Sequence, residues 1–242
     1  MPPYEGDATR FVAGLDGTSG SPAALERPAP ALSPKGRRTR ERLTAAARLV
    51  FERDGFLDAR VADIAVEAGV AHGTFYTYFD SKTEIFRHVV ADVMSMVWHV
   101  RESTDGSDDL SPYEAIERAN RQFVRVYREN RAMFGLMEQA ITYDDEIRQL
   151  RLTVRERSVE RVRRSIEKMQ EAGTVRHDVE AAYAASALVS MVSNFVYFWL
   201  VMGEKDYDDE IVVQTLTRLW ASALEMKLDS SAAQATTHVP ER

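Results

Sequence analysis

The segment His72-Gly73-Thr74-Phe75-Tyr76-Thr77-Tyr78 gathers side chains suited to reading a DNA groove. His72, Gly73, Thr74, Thr77 and Tyr78 fall on one helical face, with Tyr76 beside them. They are short or planar polar groups that can meet base edges and phosphate oxygens. Thr39, Arg40, Arg60 and Lys82 flank the segment and carry the hydroxyl, guanidinium and ammonium groups that bind phosphate. Enzyme chemistry has little to work with. The chain has no cysteine, no glycine-rich phosphate loop and no His-Glu-x-x-His zinc pair. His72, His88, His99, His177 and His238 are dispersed. Even His88 and His99 would stand about 16 Å apart on one helix, too far for one metal. No catalytic residue, metal site or cofactor is expected.

The reading segment needs a frame. Val61, Ile64, Ala65 and Ala68 repeat at helical spacing and form one apolar stripe. Gly69 follows, where a helix end favours positive φ. A second short helix over His72–Phe79 then gives two helices joined by a tight turn. Val70 and Phe75 close the small core beneath. Ser81 and Glu84 have capping-box spacing, so a further helix restarts at once, with Lys82 at its positive N-terminus.

These residues resemble the DNA-binding domain of the tetracycline-repressor (TetR) family of bacterial transcription regulators over about fifty positions, Arg37 to Phe86. The likeness rests on Thr39-Arg40-Glu41-Arg42-Leu43, Ala46-Ala47, Phe51, Gly55-Phe56, Asp63-Ile64-Ala65, Ala68-Gly69-Val70, Gly73-Thr74-Phe75-Tyr76, Tyr78-Phe79 and Ser81-Lys82. Two positions depart from the family pattern. Arg60 stands where the family has Thr, and Ala71 where it has Ser. Both hydroxyls would cap a helix and touch phosphate. Arg60 still reaches a phosphate by charge, but Ala71 cannot, and loss of its cap costs roughly 1 kcal/mol.

Charge is distributed to match. The chain carries a net −7, yet residues 35–82 hold nine basic against seven acidic residues. Lys35, Arg37, Arg38, Arg40, Arg42 and Arg48 are opposed over that stretch by Glu41 alone. A basic head on an acidic protein directs DNA to one face. Residues 1–34 hold six of the eight prolines and read as a disordered tail, as does 229–242. The only apolar run in the first tail, Phe11-Val12-Ala13, is too short for a secretory signal.

Periodicity predicts an all-α chain. Helix 1 covers about 37–54 and ends at Gly55. The helix begun at Lys82 reaches residue 102. Further helices cover about 112–129, 132–140 and 144–172, the last stopping at Gly173. Residues 181–203 carry no formal charge, long enough to raise a membrane span. Tyr183, Ser186, Ser190, Ser193 and Asn194 argue against one, and no Lys or Arg cluster orients it. The segment is read as a helix buried on most sides. A last helix follows with Leu216, Leu219, Trp220 and Ala223 at helical spacing. Two such helices offer more apolar surface than one small domain covers, which points to a homodimer. In the family, the last two long helices form a dimeric four-helix bundle.

The expected layout is therefore a helix-turn-helix domain at 35–82 and a larger helical effector-binding and dimerisation domain at 83–228. The resemblance implies a cytoplasmic, ligand-responsive regulator, a repressor of a double-stranded DNA operator. Its pocket candidates are Trp98, Phe134, Met137, Tyr143, Met191, Asn194, Phe195, Phe198 and Trp199. Large apolar groups with few polar ones favour a hydrophobic or amphipathic effector. Trp98, about 24 Å along the helix from Lys82, makes that helix a lever. The rival reading is a helical effector-binding or scaffolding protein with weak operator binding.

Overall fold

The computed structural model describes residues 32–102, 110–203 and 205–226, with the side chains of 98–102 outside the description. The expected tails at 1–34 and 229–242 lie almost wholly outside it, as does the stretch 103–110, which the sequence marks as an acidic loop. Among the described residues the elements are helical: α1 (Pro34–Asp58), α2 (Val61–Glu67), α3 (His72–Tyr78), α4 (Lys82–Glu102), α5 (Pro112–Glu129), α6 (Arg131–Ala140), α7 (Asp145–Glu171), α8 (Ala181–Leu200) and α9 (Asp209–Ala223). The chain divides into two compact units. The first holds residues up to 99 together with 129–155, and the second holds 100–128 with 156 onward. The unit containing the helix-turn-helix thus extends beyond residue 82, because α4, α6 and the start of α7 supply much of its core.

In the first unit, α1 opens on Ser33, whose hydroxyl accepts from the Gly36 N–H at 3.2 Å, with Pro34 in the first turn. Leu43, Ala47, Val50 and Phe51 face inward and are fully buried. Gly55 breaks the helix at φ 75°, ψ 172°, and one more turn runs on to Asp58. The carbonyls left open there are closed from α4. The Lys82 ammonium donates to the oxygens of Phe56, Leu57 and Ala59 at 2.7, 3.1 and 2.8 Å and lies 4.7 Å over the Phe56 ring. That uses all three of its donors. Phe56 in turn packs 4.7 Å from Phe86, and Phe86 meets Phe51 edge-on at 5.0 Å.

The turn between α2 and α3 is closed in the same manner. Gly69, at φ 62°, lets the Val70 N–H reach the Ala65 carbonyl and its own N–H reach that of Val66, both at 3.0 Å. Arg42 of α1 donates to the carbonyls of Ala68 and Gly69. A Cβ on Gly69 would come within 3.0 Å of that guanidinium. Ala71 and Arg60 make no side-chain cap bond, as their types require. The Ser81 hydroxyl accepts from the Glu84 N–H at 3.1 Å, so half of the capping box forms. The Glu84 carboxylate accepts from Asp80 instead of Ser81.

In the second unit, α7 stops at Gly173, φ 66°, as the sequence implies. Ile166, Ala185, Val189 and Leu224 lie in its core. Asn120 on α5 donates to Thr217 on α9 at 3.1 Å, both buried. Thr217 donates to the Val213 carbonyl, so the pair is satisfied. Glu180 and Asp208 cap α8 and α9 by accepting from Tyr183 and Ile211. The Glu210 carboxyl is held down to about 2 by the Arg121 guanidinium and then by Gln214.

The expectation that 181–203 is buried on most sides is corrected. One face of α8 is buried through Ala185, Leu188, Val192 and Val196, while Tyr183, Phe195 and Phe198 are exposed. The physical reason is that the unit offers only one layer of helices for α8 to pack on. Leu216 is also corrected as an interface residue: it is 2% exposed and belongs to the subunit core.

Two outcomes follow for stability. Lys82→Ala strips three charge-assisted bonds from the α1 terminus and should cost about 1–3 kcal/mol in denaturant unfolding, discounted for partial exposure. His88, buried against Arg40, has its imidazole pushed down to about 3, first by burial and then by that guanidinium. The unfolded chain therefore binds more protons than the native one as pH falls from about 6.5 towards 3. Stability should drop across that window, and the drop should flatten in His88→Gln, read as unfolding midpoint against pH.

Candidate functional site

The reading face is built on one anchor. Phe75 is fully buried and 5.8 Å from Phe79, which fixes the roll of α3. His72, Gly73, Tyr76 and Thr77 consequently stand exposed, and Thr74 and Tyr78 are half-buried. Tyr76 meets His72 edge-on at 5.5 Å, holding two planar groups on the same outward row. Nothing lies within 4 Å of a Cβ built on Gly73, so this position is open to close approach. The arrangement presents hydrogen-bonding groups over an apolar base, the form a groove-reading helix takes.

The four phosphate candidates divide. Arg60 is exposed at the start of α2, and Thr39 is half-buried with its hydroxyl donating to the Lys35 carbonyl at 3.0 Å. Its oxygen can still accept, and its donor is engaged. Arg40 and Lys82 are turned inward. Arg40 donates to His88 Nε2 at 2.8 Å and lies 5.1 Å over Phe79. Lys82 is committed to the carbonyls at the end of α1. Spacing could not reveal this, because the acceptors belong to residues 23–26 positions away along the chain. The exposed cations at the start of α1 are Lys35, Arg37 and Arg38. The basic run marked them collectively, but no motif singled them out.

The nine pocket candidates are divided between the two units. Phe134 and Met137 are core residues of the first unit, and Tyr143 is exposed there, 6.3 Å from Phe56. The Trp98 side chain lies outside the described residues. In the second unit Met191 is half-buried, and Asn194, Phe195 and Phe198 lie on the exposed side of α8. Asn194 is not the buried amide that the apolar segment led us to expect. Trp199 is buried under Arg128, whose guanidinium stands 5.0 Å over the indole and also pairs with Asp209.

The second unit holds a cavity of ≈ 400 Å³ that none of the eight described candidates lines. Its walls come from α5, α7, α8 and α9, with Ile116, Ile166, Val189 and Val192 among the apolar groups. Trp220, expected at a subunit interface, lines this cavity, with its indole N–H aimed at the Leu188 carbonyl at 3.4 Å. The apolar groups left outward on α9 include Ile211 and Leu219, and Ala223 is exposed.

Comparison with known proteins accounts for both units. The model of bacterial regulatory proteins of the tetR family matches residues 43–89. The model of the C-terminal domain of the transcriptional regulator EthR matches residues 116–225. The chain is 27% identical over 172 residues to the regulator YdgC of Bacillus subtilis, covering 71% of this chain and 86% of that one. It is 26% identical over 176 residues to the repressor BepR of Brucella suis, covering 70% and 84%. Among solved structures, the TetR-family regulator PfmR of Thermus thermophilus matches with a TM-score of 0.60 and 25% identity, covering 78% of this chain and 99% of that one. The head that presents α3 and the helical unit that encloses the cavity thus each have a counterpart in one group of proteins, and this chain belongs to the TetR family of helix-turn-helix transcriptional regulators.

Proposed function

We propose that the protein is a cytoplasmic homodimeric repressor, released from its operator by a small hydrophobic or amphipathic effector held in the cavity of the second unit. The observation that carries the DNA half is the outward row His72, Gly73, Tyr76 and Thr77 over the buried Phe75. In this reading those residues, with Thr74 and Tyr78, enter the major groove. Thr39 and Arg60 meet phosphates, joined by the exposed Lys35, Arg37 and Arg38. Arg40 and Lys82 act by holding the head in shape. The relatives support repression, since BepR is named a repressor. An effector lowers operator affinity only by binding the DNA-incompetent state more tightly, and a coupling of 1–3 kcal/mol corresponds to about 5–150-fold.

The dimer reading rests on exposed apolar groups, Phe195 and Phe198 on α8 and Ile211 and Leu219 on α9. Side chains of this size left in water on two consecutive helices are the mark of a protein interface. A two-fold pair of heads would meet half-sites about 34–36 Å apart or somewhat wider. The uncapped starts of α2 and α3 favour one alternative, a scaffolding protein with weak operator binding.

Binding to the DNA upstream of the protein's own coding region, followed by fluorescence anisotropy against salt, separates these readings. Arg60→Ala should weaken binding to all sequences alike and flatten the salt slope by about one. Thr77→Ala and His72→Ala should change base preference in a selection from random DNA. Weak, sequence-blind binding that is lost at moderate salt would favour the scaffold. For assembly, Leu219→Glu and Phe198→Glu should yield folded monomers by light scattering and lose operator binding. Leu216→Glu should instead unfold the chain, because it places a charge in the core.

A further inference from the structure

The cavity in the second unit has a polarity that its apolar lining does not explain. On α7, Arg161, Ser165 and Lys168 line it at intervals of four and three, with Ala172 just beyond the helix end, so the three share one stripe along the helix. The adjacent stripe, Val162, Ile166 and Met169, also lines it and belongs to the core. The α7 wall is therefore split lengthwise into a cationic edge and an apolar floor. Among the described residues, no lining side chain is a carboxylate. Two acids of α7 near this wall, Glu160 and Glu167, are turned to Arg163. Ser165 and Lys168 are exposed, which sets their part of this edge at the cavity mouth, while Arg161 is half-buried with its Nη1 shielded from solvent just inside it.

Beyond Arg161 and Lys168, no described lining residue carries a charge. On α5 the wall carries Ala115 and Ala119, small side chains that leave room. Asn120 has its amide N–H directed to Thr217, Trp220 has its indole directed to Leu188, and the Thr174 hydroxyl donates to the Met169 carbonyl. An ionised head carried into this interior would lose its hydration without compensation, whereas a hydrocarbon tail gains by burial there. A head left at the mouth meets two cations. A cationic amphipath would face like charges, and a neutral one would forgo charge-assisted bonds.

Resting on the effector reading above, we propose that the ligand is a single-chain anionic amphipath. Its carboxylate sits between Arg161 and Lys168, and its tail lies against Ile116, Val189 and Val192. At ≈ 400 Å³ the cavity is near the small end of ligand pockets, which fits a medium-length chain.

The test uses the full chain and three probes of equal tail length below their micellar concentrations: decanoate, 1-decanol and decyltrimethylammonium. Binding is read by calorimetry, with melting curves to confirm that each variant is folded. Decanoate should bind at least tenfold more tightly than the other two, and about tenfold more tightly than octanoate. Lys168→Gln should weaken decanoate about tenfold and leave decanol unchanged, and Arg161→Gln should do the same. Ala119→Trp should abolish binding of every probe by filling the interior. If decanol or the ammonium probe binds as tightly as decanoate, and Lys168→Gln changes nothing while Ala119→Trp still blocks binding, the anionic class is overturned and the effector cavity stands. If no probe binds the wild type, or if Ala119→Trp leaves binding intact, the proposed placement is overturned. Measuring operator affinity of the wild type with and without decanoate then asks separately whether occupancy releases DNA.

Discussion

The head of this protein depends on closing the ends of very short helices. A seven-residue helix such as α2 or α3 leaves more than half of its N–H groups without internal partners, and as large a share of its carbonyls. Neither helix would persist alone. Here Arg42 of α1 closes the carbonyl end of α2, and Lys82 of α4 closes the short last turn of α1 beyond Gly55. The glycines at 55 and 69 make those closures possible, because each turns the chain through positive φ. The position of α3 is therefore set by contacts behind it, and its outward face is left for recognition.

This arrangement changes how the basic residues of the head should be counted. A cation engaged with buried carbonyls contributes to shape first, and one in open solvent contributes to the field that DNA meets. Lys82 and Arg42 belong to the first group, and Arg40 joins them through His88, while Arg60, Lys35 and Arg38 are exposed, as is Arg37, which also donates to the Leu32 carbonyl at 2.7 Å. Burial then settles the state of His88. With Arg40 donating to it and water largely excluded, the imidazole stays neutral and serves as an acceptor.

The second unit faces the opposite problem, an excess of apolar surface. Helix α8 has apolar residues on most of its circumference, and the unit covers only one side. The rest is left outward as Tyr183, Phe195 and Phe198. Small residues on α5 and just beyond α7, Ala115, Ala119 and Ala172, leave a cavity between the same helices, so the unit is neither fully packed inside nor fully polar outside. Both features cost stability in an isolated chain and are the kind that bound partners offset.

Local signals were sufficient for much of this. The stripe Val61, Ile64, Ala65 and Ala68, the glycines at 69 and 173, and the proline at 112 act through backbone geometry and nearest turns. Helix order, the two-helix reading motif and its outward residues were therefore legible in the sequence alone. So were the missing caps at Arg60 and Ala71, since a side chain without an oxygen cannot accept. What the sequence could not specify is which side chains meet across the fold. That Lys82 closes α1, that Leu216 and Trp220 turn into their own subunit, that Asn194 faces outward, and that the cavity gathers Arg161 and Lys168 rather than Phe134 or Tyr143 all depend on how helices far apart in the chain are rolled against one another. Periodicity gives a helix an apolar face but not its neighbour, and a helix apolar on several sides has several possible rolls. Only tertiary packing, which selects the roll that buries the most surface without orphaning polar groups, decided between them.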